Sequence, residues 1–417
     1  MKAELRAYFS VTIVYWAFML TDGALRMLVL LHFHHLGFSA LSLAYLFLVY
    51  EFMGIVANIL SGWAGAKFGI RPLIVAGLII QIASLIILAL LNPAWSMFLS
   101  VFYVMVVQGA SGIAKDLTKT GSKSAIKNLV VDEGRLFSWV ALLTGSKNAI
   151  KGLGFFLGAA LLVLVEFKMA LGALVIFLVC VLVTFLTFAR SPLGSKADVG
   201  VKIGDVFSTS KSVNQLAIAR LFLFAARDAW FVVAVPVFLY SALTQVSGIG
   251  SDKAFFWVGG FLAVWIMGYG FVQTLTPSRL SSVKGAPEKA GSAARQWSRY
   301  LAALMLILCG FMLAMFHFGY GQTDATVYVL MLGLILFGVV FAVNSSLHSY
   351  LIISLSGQKR TTMDVGFYYS ANAAGRLLGT LLSGLTYQLG GIVLCLFISS
   401  ALAFISHRVI ARLIKMR

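Results

Sequence analysis

The chain has 417 residues, 60% of them hydrophobic and 11% charged, with a mean hydropathy of +0.96. Six prolines, three isolated cysteines and no long polar tract argue against a large soluble domain, a disulfide framework or a cysteine-bound metal cluster, and mark a polytopic membrane protein. A net charge of +18 would suggest nucleic acid in a soluble protein; here it reflects basic loops on one face of a bilayer.

Mainly apolar segments long enough to cross a bilayer fall at 8–33, 41–66, 72–92, 94–114, 136–165 and 168–189, and again at 213–242, 254–276, 299–319, 326–350, 366–389 and 392–411. The pattern predicts an all-α membrane protein of twelve transmembrane helices: an N-terminal half over 1–190, a cytoplasmic linker over 191–212 and a C-terminal half over 213–417. Lys2 and Arg6 precede the first span, but that run carries Asp22 and Arg26 and lacks a small-x-small cleavage site, so it reads as an uncleaved span. With the N-terminus inside, 24 of the 32 Lys and Arg fall in inner loops and ends, against only Lys168 and Lys253 outside, which predicts cytoplasmic termini.

Charged residues inside the spans are the candidates for function. Asp22 and Arg26 lie at i and i+4, either an ion pair locking the first helix or a substrate-contacting Arg oriented by its acid. Glu51, mid-way along the second span, is either a protonatable carboxylate or a structural hydrogen-bonding group. After the fourth span, Lys115, Lys119, Lys123 and Lys127 recur every four residues and form one basic stripe if helical. Lys123 and Lys127 read as a solvated or headgroup-facing surface, and Lys115 and Lys119 as a cytoplasmic mouth that gathers anions.

The fifth span carries LLTGSKNAIKGLGFFL, in which Lys147 and Lys151 share a helix face with Asn148 between them. A lysine at a membrane helix centre costs about 2.5–3.5 kcal/mol, so both are expected to face protein, water or a ligand. Arg220 and Arg227 lie seven apart on the seventh span; Arg220 either snorkels to the interface or joins a cavity, whereas Arg227 and Arg376 lie too deep to snorkel. Asp228, beside Arg227, has the same two readings as Asp22. Six intramembrane cations against Asp22, Glu51 and Asp228 leave a positive interior, expected to bind an anion through Arg26, Lys147, Lys151, Arg220, Arg227 and Arg376, with Asn148 donating a hydrogen bond.

Two weak repeats relate the halves. NAIKGLGFFLG from Asn148 and NAAGRLLGTLLSG from Asn372 each place an asparagine, then a cation, then spaced glycines, and the first and seventh spans each pair an acid with an Arg. Related six-helix halves around a midplane site are an arrangement of secondary transporters. HFHH (His32, His34, His35) has no neighbouring cysteine or carboxylate to make it a metal site, no cofactor is indicated, and HExxH, P-loop and GxSxG motifs are lacking, so no enzymatic apparatus is visible.

GWAGAKFGIR, from Gly62 to Arg71, resembles the G-x-x-x-D-R-x-G-R-R loop of the major facilitator superfamily: Gly62, Lys67, Gly69 and Arg71 match, while Ala66 stands where the acid belongs. The stretches YWAFMLTDGALRMLVLLHFHHLG, GIAKDLTKTGSKSAIK, WVALLTGSKNAIKGLGFFLG and ARLFLFAARDAWFVVAVPVFL resemble the organoarsenical efflux permeases (ArsJ-like) of that superfamily. The resemblance implies a major facilitator fold in a bacterial inner membrane. It also implies export of 1-arseno-3-phosphoglycerate, arsenate resistance, and a functional partner in the glyceraldehyde-3-phosphate dehydrogenase that makes the ester. The alternatives are an organophosphate or sugar-phosphate carrier with the same charge logic, and a non-transporting membrane receptor or scaffold with purely structural charges.

Overall fold

The computed structural model describes residues 2–36, 48–129, 133–188, 207–245, 250–321, 323–357 and 360–415, with Gly204 and Gly248. Among these the regular elements are helices: α1 Lys2–His35, α2 Leu48–Phe68, α3 Ile70–Ala89, α4 Met97–Leu129, α5 Glu133–Leu164 and α6 Phe167–Phe188, then α7 Lys211–Phe231, α8 Ala234–Gln245, α9 Ser251–Arg279, α10 Pro287–His317, α11 Asp324–Leu355 and α12 Thr361–Lys415. Helices α7 and α8 form one crossing interrupted at Val232–Val233, and α12 is two crossings joined at Gly390 and Gly391. Gly391 has φ 58°, a left-handed backbone that favours glycine, so this pair can reverse the chain with no loop between the helices.

Among the described residues the helices thus make six passes in each half. Nine helical stretches among the described residues are long and apolar enough to span a bilayer; α2 and α5, which carry Glu51, Lys147 and Lys151, are not among them. We call the end where α1 begins and α12 stops the base, and the opposite end the crown.

Close packing within each half depends on glycine. In the first half α5 lies along α1, with Gly154 against the Leu20 carbonyl and Gly158 against that of Ala24. In the second half α12 lies along α7, with Gly375 against the Leu221 carbonyl and Gly379 against that of Ala225. A side chain at either place would overlap backbone. Gly154→Val and Gly375→Val are each expected to cost at least about 1–3 kcal/mol through overpacking. Gly172→Val, where a new Cβ meets open space, should melt like the parent protein in a detergent thermal-denaturation assay.

Between the halves, α2 packs on α12 and α5 on α9. Gly62 abuts Thr362 and Gly366, and Gly145 abuts Gly270 and Thr274, all toward the base. The apolar core shows the same asymmetry. One cluster runs through the first half and across to Leu216, Leu347, Tyr350 and Tyr368 near the base of the second half. The other, around Trp230, Trp265 and Phe337, belongs to the crown side of the second half alone. The halves are therefore fused at the base and separately packed at the crown.

The sequence-based boundaries need one correction. The fourth span does not end at 114, because α4 continues unbroken to Leu129. Hydropathy falls at Lys115 because the inward face turns polar, and no proline interrupts the backbone there. Lys115, Lys119 and Lys123 are therefore inside the bundle, and Lys123, expected on a solvated face, is only 1% exposed. The Lys127 side chain, residues 41–47 of the expected second span, and residues 191–203, 205 and 206 of the expected linker lie outside the described residues. In the GWAGAKFGIR stretch, Gly69 (φ 91°) makes the turn from α2 to α3, Lys67 lies 4.9 Å from the Trp63 ring centre, and Arg71 donates to the Leu186 carbonyl at 3.0 Å.

Candidate functional site: a two-layered charged centre

The first charged layer repeats one device in both halves. Asp22 on α1 is 2% exposed and accepts from the Lys151 ammonium on α5 and from the Tyr50 hydroxyl at 2.6 Å. Asp228 on α7 is 1% exposed, accepts from Arg227 Nε at 2.6 Å and faces Arg376 Nε on α12 at 3.4 Å. In each half an acid on the first crossing holds a cation on the fifth, which gives the NAIK and NAAGR repeats a physical meaning.

Glu51 ties the two devices together. Its Oε1 accepts from Arg26 Nη2 at 3.2 Å in its own half and from Arg376 Nη2 across the seam. The side chains of Arg26, Arg376 and Glu51 keep 30%, 28% and 18% exposure, so this bridge is the solvent-reachable part of the layer.

A fourth acid, Asp116 on α4, completes the layer. It is 1% exposed, holds the Lys119 ammonium and lies 3.9 Å from Lys115. Tyr50 acts as a hub, with Lys115 3.9 Å and Arg26 5.0 Å from its ring centre while its hydroxyl grips Asp22. Such cation–π contacts add about 0.5–2 kcal/mol where water is excluded.

The second layer lies one to two helical turns toward the base, about 6–10 Å at 1.5 Å per residue, and its cations have no carboxylate partner among the described residues. Arg220, 3% exposed, donates to Asn372 Oδ1 at 2.9 Å and to the Ser345 hydroxyl and carbonyl at 3.0 and 3.2 Å, all neutral acceptors. Asn148 donates to Gln273 Oε1 at 2.7 Å, joining α5 to α9. Lys147 is half-buried and makes no hydrogen bond or ion pair with any described residue; the charges that bear on it most are Lys123, Lys119, Lys151 and Arg376, all cations. The Lys123 ammonium is buried without a partner among the described residues.

The expected site residues therefore come together, but in two different states. Arg26, Lys151, Arg227 and Arg376 are matched to Asp22, Glu51 and Asp228, while Lys147 and Arg220 face only neutral groups or other cations. Asn148 serves the seam between the halves. Lys115 and Lys119, expected at a cytoplasmic mouth, sit inside the first layer. Asp116, Tyr50 and Lys123 were missed. The signal for Asp116 and Lys123 was the unbroken helical spacing through GIAKDLTKTGSKSAIK, and for Tyr50 its place beside Glu51. His32 stacks on Phe167 at 4.0 Å, and the side chains of His34 and His35 lie outside the described residues.

No protein-family model and no curated protein matches the chain. Solved structures do. The human organic anion transporter MFSD10 (TETRAN) is 16% identical, with a TM-score of 0.68 over 98% of this chain and 99% of its own. A bacterial homologue of the iron transporter ferroportin in an outward-facing state is 13% identical, with a TM-score of 0.72 over the whole of both chains. The proton:xylose symporter XylE bound to 6-bromo-6-deoxy-D-glucose is 13% identical, with a TM-score of 0.71 over 97% of this chain and 95% of its own. The chain has the fold of the major facilitator superfamily.

Proposed function

We propose that this multi-pass membrane protein is a secondary transporter for a small organic anion, working by alternating access between its two halves. One observation carries the reading: the two central layers hold nine cations (Arg26, Lys115, Lys119, Lys123, Lys147, Lys151, Arg220, Arg227 and Arg376) against four carboxylates (Asp22, Glu51, Asp116 and Asp228). Charge buried in that excess is costly unless an anion offsets it. The name of MFSD10, an organic anion transporter of like fold, agrees with the reading.

Of the central cations, Arg26 and Arg376 are the most open on the crown side, where exported cargo would leave. Guanidinium groups bind oxyanions bidentately, so the solute competes with Glu51 for both. Releasing Glu51 removes a bond that spans the halves, and so couples binding to their relative motion.

The resemblance to organoarsenical permeases supports a narrower substrate, 1-arseno-3-phosphoglycerate, whose carboxylate, phosphate and arsenate suit a strongly positive path. On this reading the chain lies in a bacterial inner membrane with cytoplasmic termini. It exports the ester made by a glyceraldehyde-3-phosphate dehydrogenase and so confers arsenate resistance. Cells expressing the chain together with that enzyme should tolerate arsenate better than cells with either alone, and everted vesicles should take up the enzyme-made ester. Protection by the chain without the enzyme would remove the ester as substrate. An organophosphate or sugar-phosphate carrier would show itself by competition among those solutes.

The pairing of six cations with carboxylates favours a second reading, a non-transporting receptor or scaffold. It predicts no flux of any anion into vesicles.

A further inference from the structure

We propose that Lys123, Lys147 and Arg220 form an oxyanion-binding subsite on the base side of the central layer, suited to a doubly charged tetrahedral group such as a phosphate monoester. It rests on the transporter reading for how a ligand reaches it; the binding itself does not.

The three side chains come from α4, α5 and α7, two from the first half and one from the second. Arg220 and Lys119 are the charges that bear on Lys123, and Lys123 is the foremost of those on Lys147. No described carboxylate lies within ion-pair distance of any of the three, in contrast to Asp22, Glu51, Asp116 and Asp228 about a turn or two away. Lys123 is the sharpest case, with 1% exposure and a buried ammonium bonded to nothing among the described residues. Left alone, such a group loses its hydration and gains nothing in exchange.

Neutral groups nearby select the ligand further. His348 beside Arg220 is fully buried with both ring nitrogens unbonded, and Gln273 keeps a buried, unbonded Nε2 next to Asn148. The Tyr368 hydroxyl is likewise buried and unbonded, with the Arg220 guanidinium 5.4 Å from its ring. Two ammonium groups, one guanidinium and several spare donors are what a phosphate-like group with three acceptor oxygens requires. A neutral sugar would offset none of the charge, and a monocarboxylate only one unit of it. Because the halves are fused at the base, the subsite is shut off in this conformation and fills when the α2–α12 and α5–α9 seams part.

The test uses the full-length chain in lipid nanodiscs, melted with increasing inorganic phosphate and with chloride at equal ionic strength. For the parent protein, phosphate is expected to raise the melting temperature to saturation, and lactate as a monocarboxylate probe to do so far less. Lys123→Met should melt at a higher temperature than the parent in chloride, since an uncompensated charge has been removed, and should bind phosphate at least about tenfold more weakly. Lys123→Arg should restore the binding. Arg220→Lys, which keeps the charge but loses the bidentate grip, should also weaken phosphate binding and provides a second variant if Lys123→Met misfolds.

Lower melting of Lys123→Met in chloride with phosphate affinity unchanged would make Lys123 structural and overturn the subsite. Phosphate and lactate acting alike would overturn its selectivity. Organic-anion flux into vesicles separates the two claims. Flux with unaltered phosphate binding in Lys123→Met removes the subsite and leaves the transporter; phosphate binding as expected with no flux does the reverse.

Discussion

Lys151→Met is expected to destabilise the protein by about 3 kcal/mol, because it strands a carboxylate that is 2% exposed. Breaking a buried pair by removing one partner typically costs about 3–5 kcal/mol. The lower end applies here, since Asp22 retains the Tyr50 hydroxyl bond and the fields of Lys115 and Arg26. The double variant Asp22→Asn/Lys151→Met should recover most of the loss, as a neutral pair leaves no stranded charge. Unfolding in detergent, read as a double-mutant cycle, gives the coupling energy directly. A coupling near zero would mean that the ion pair does not hold α1 to α5. If the chain is the transporter proposed above, anion flux should fail in both variants, so stability and flux part company in the double.

Glu51→Gln is the second large effect. It removes the charge that both Arg26 and Arg376 share, and leaves two guanidinium groups facing each other across the halves. A loss of about 1.4 kcal/mol from one conformation shifts a two-state balance tenfold, and a buried charge-assisted contact of this kind is worth at least that. Thr362, beside Gly62 at the basal seam, provides the reporter. In a Thr362→Cys background, Glu51→Gln should speed labelling by a membrane-impermeant maleimide at least about tenfold. Equal labelling rates would show that Glu51 does not hold the seam.

Much of this was legible in the sequence, and what was not has a common cause. Hydropathy located the crossings because lipid-facing residues dominate the average, and the Asn148 and Asn372 repeats foretold two related halves. Hydropathy also misled at Lys115, where the inward face of α4 turns polar while the helix runs on. Pairing was the larger gap. Arg26, Lys151, Arg227 and Arg376 read as a surplus awaiting an anion, yet each meets a carboxylate on another helix or an adjacent residue. Which helix faces which, and at what rotation, is set by glycine contacts such as Gly154 on Leu20 and Gly375 on Leu221, and no linear spacing encodes it. Asp116 fell beyond the expected end of the fourth span because hydropathy drops at Lys115, although α4 runs on to Leu129. The surplus is real: six cations share four acids in the first layer, and one to two turns nearer the base Lys123, Lys147 and Arg220 have no carboxylate partner among the described residues.

The fused apolar core at the base has a kinetic corollary. On the transporter reading, turning the protein inside out means wetting contacts such as Phe137 on Tyr350, whose ring centres lie 4.9 Å apart, whereas closing the crown only brings together faces already bathed in water. An empty carrier should therefore idle facing the crown and flip back slowly. Solute waiting on that side, by exchanging places with labelled cargo, would speed the cycle rather than oppose it.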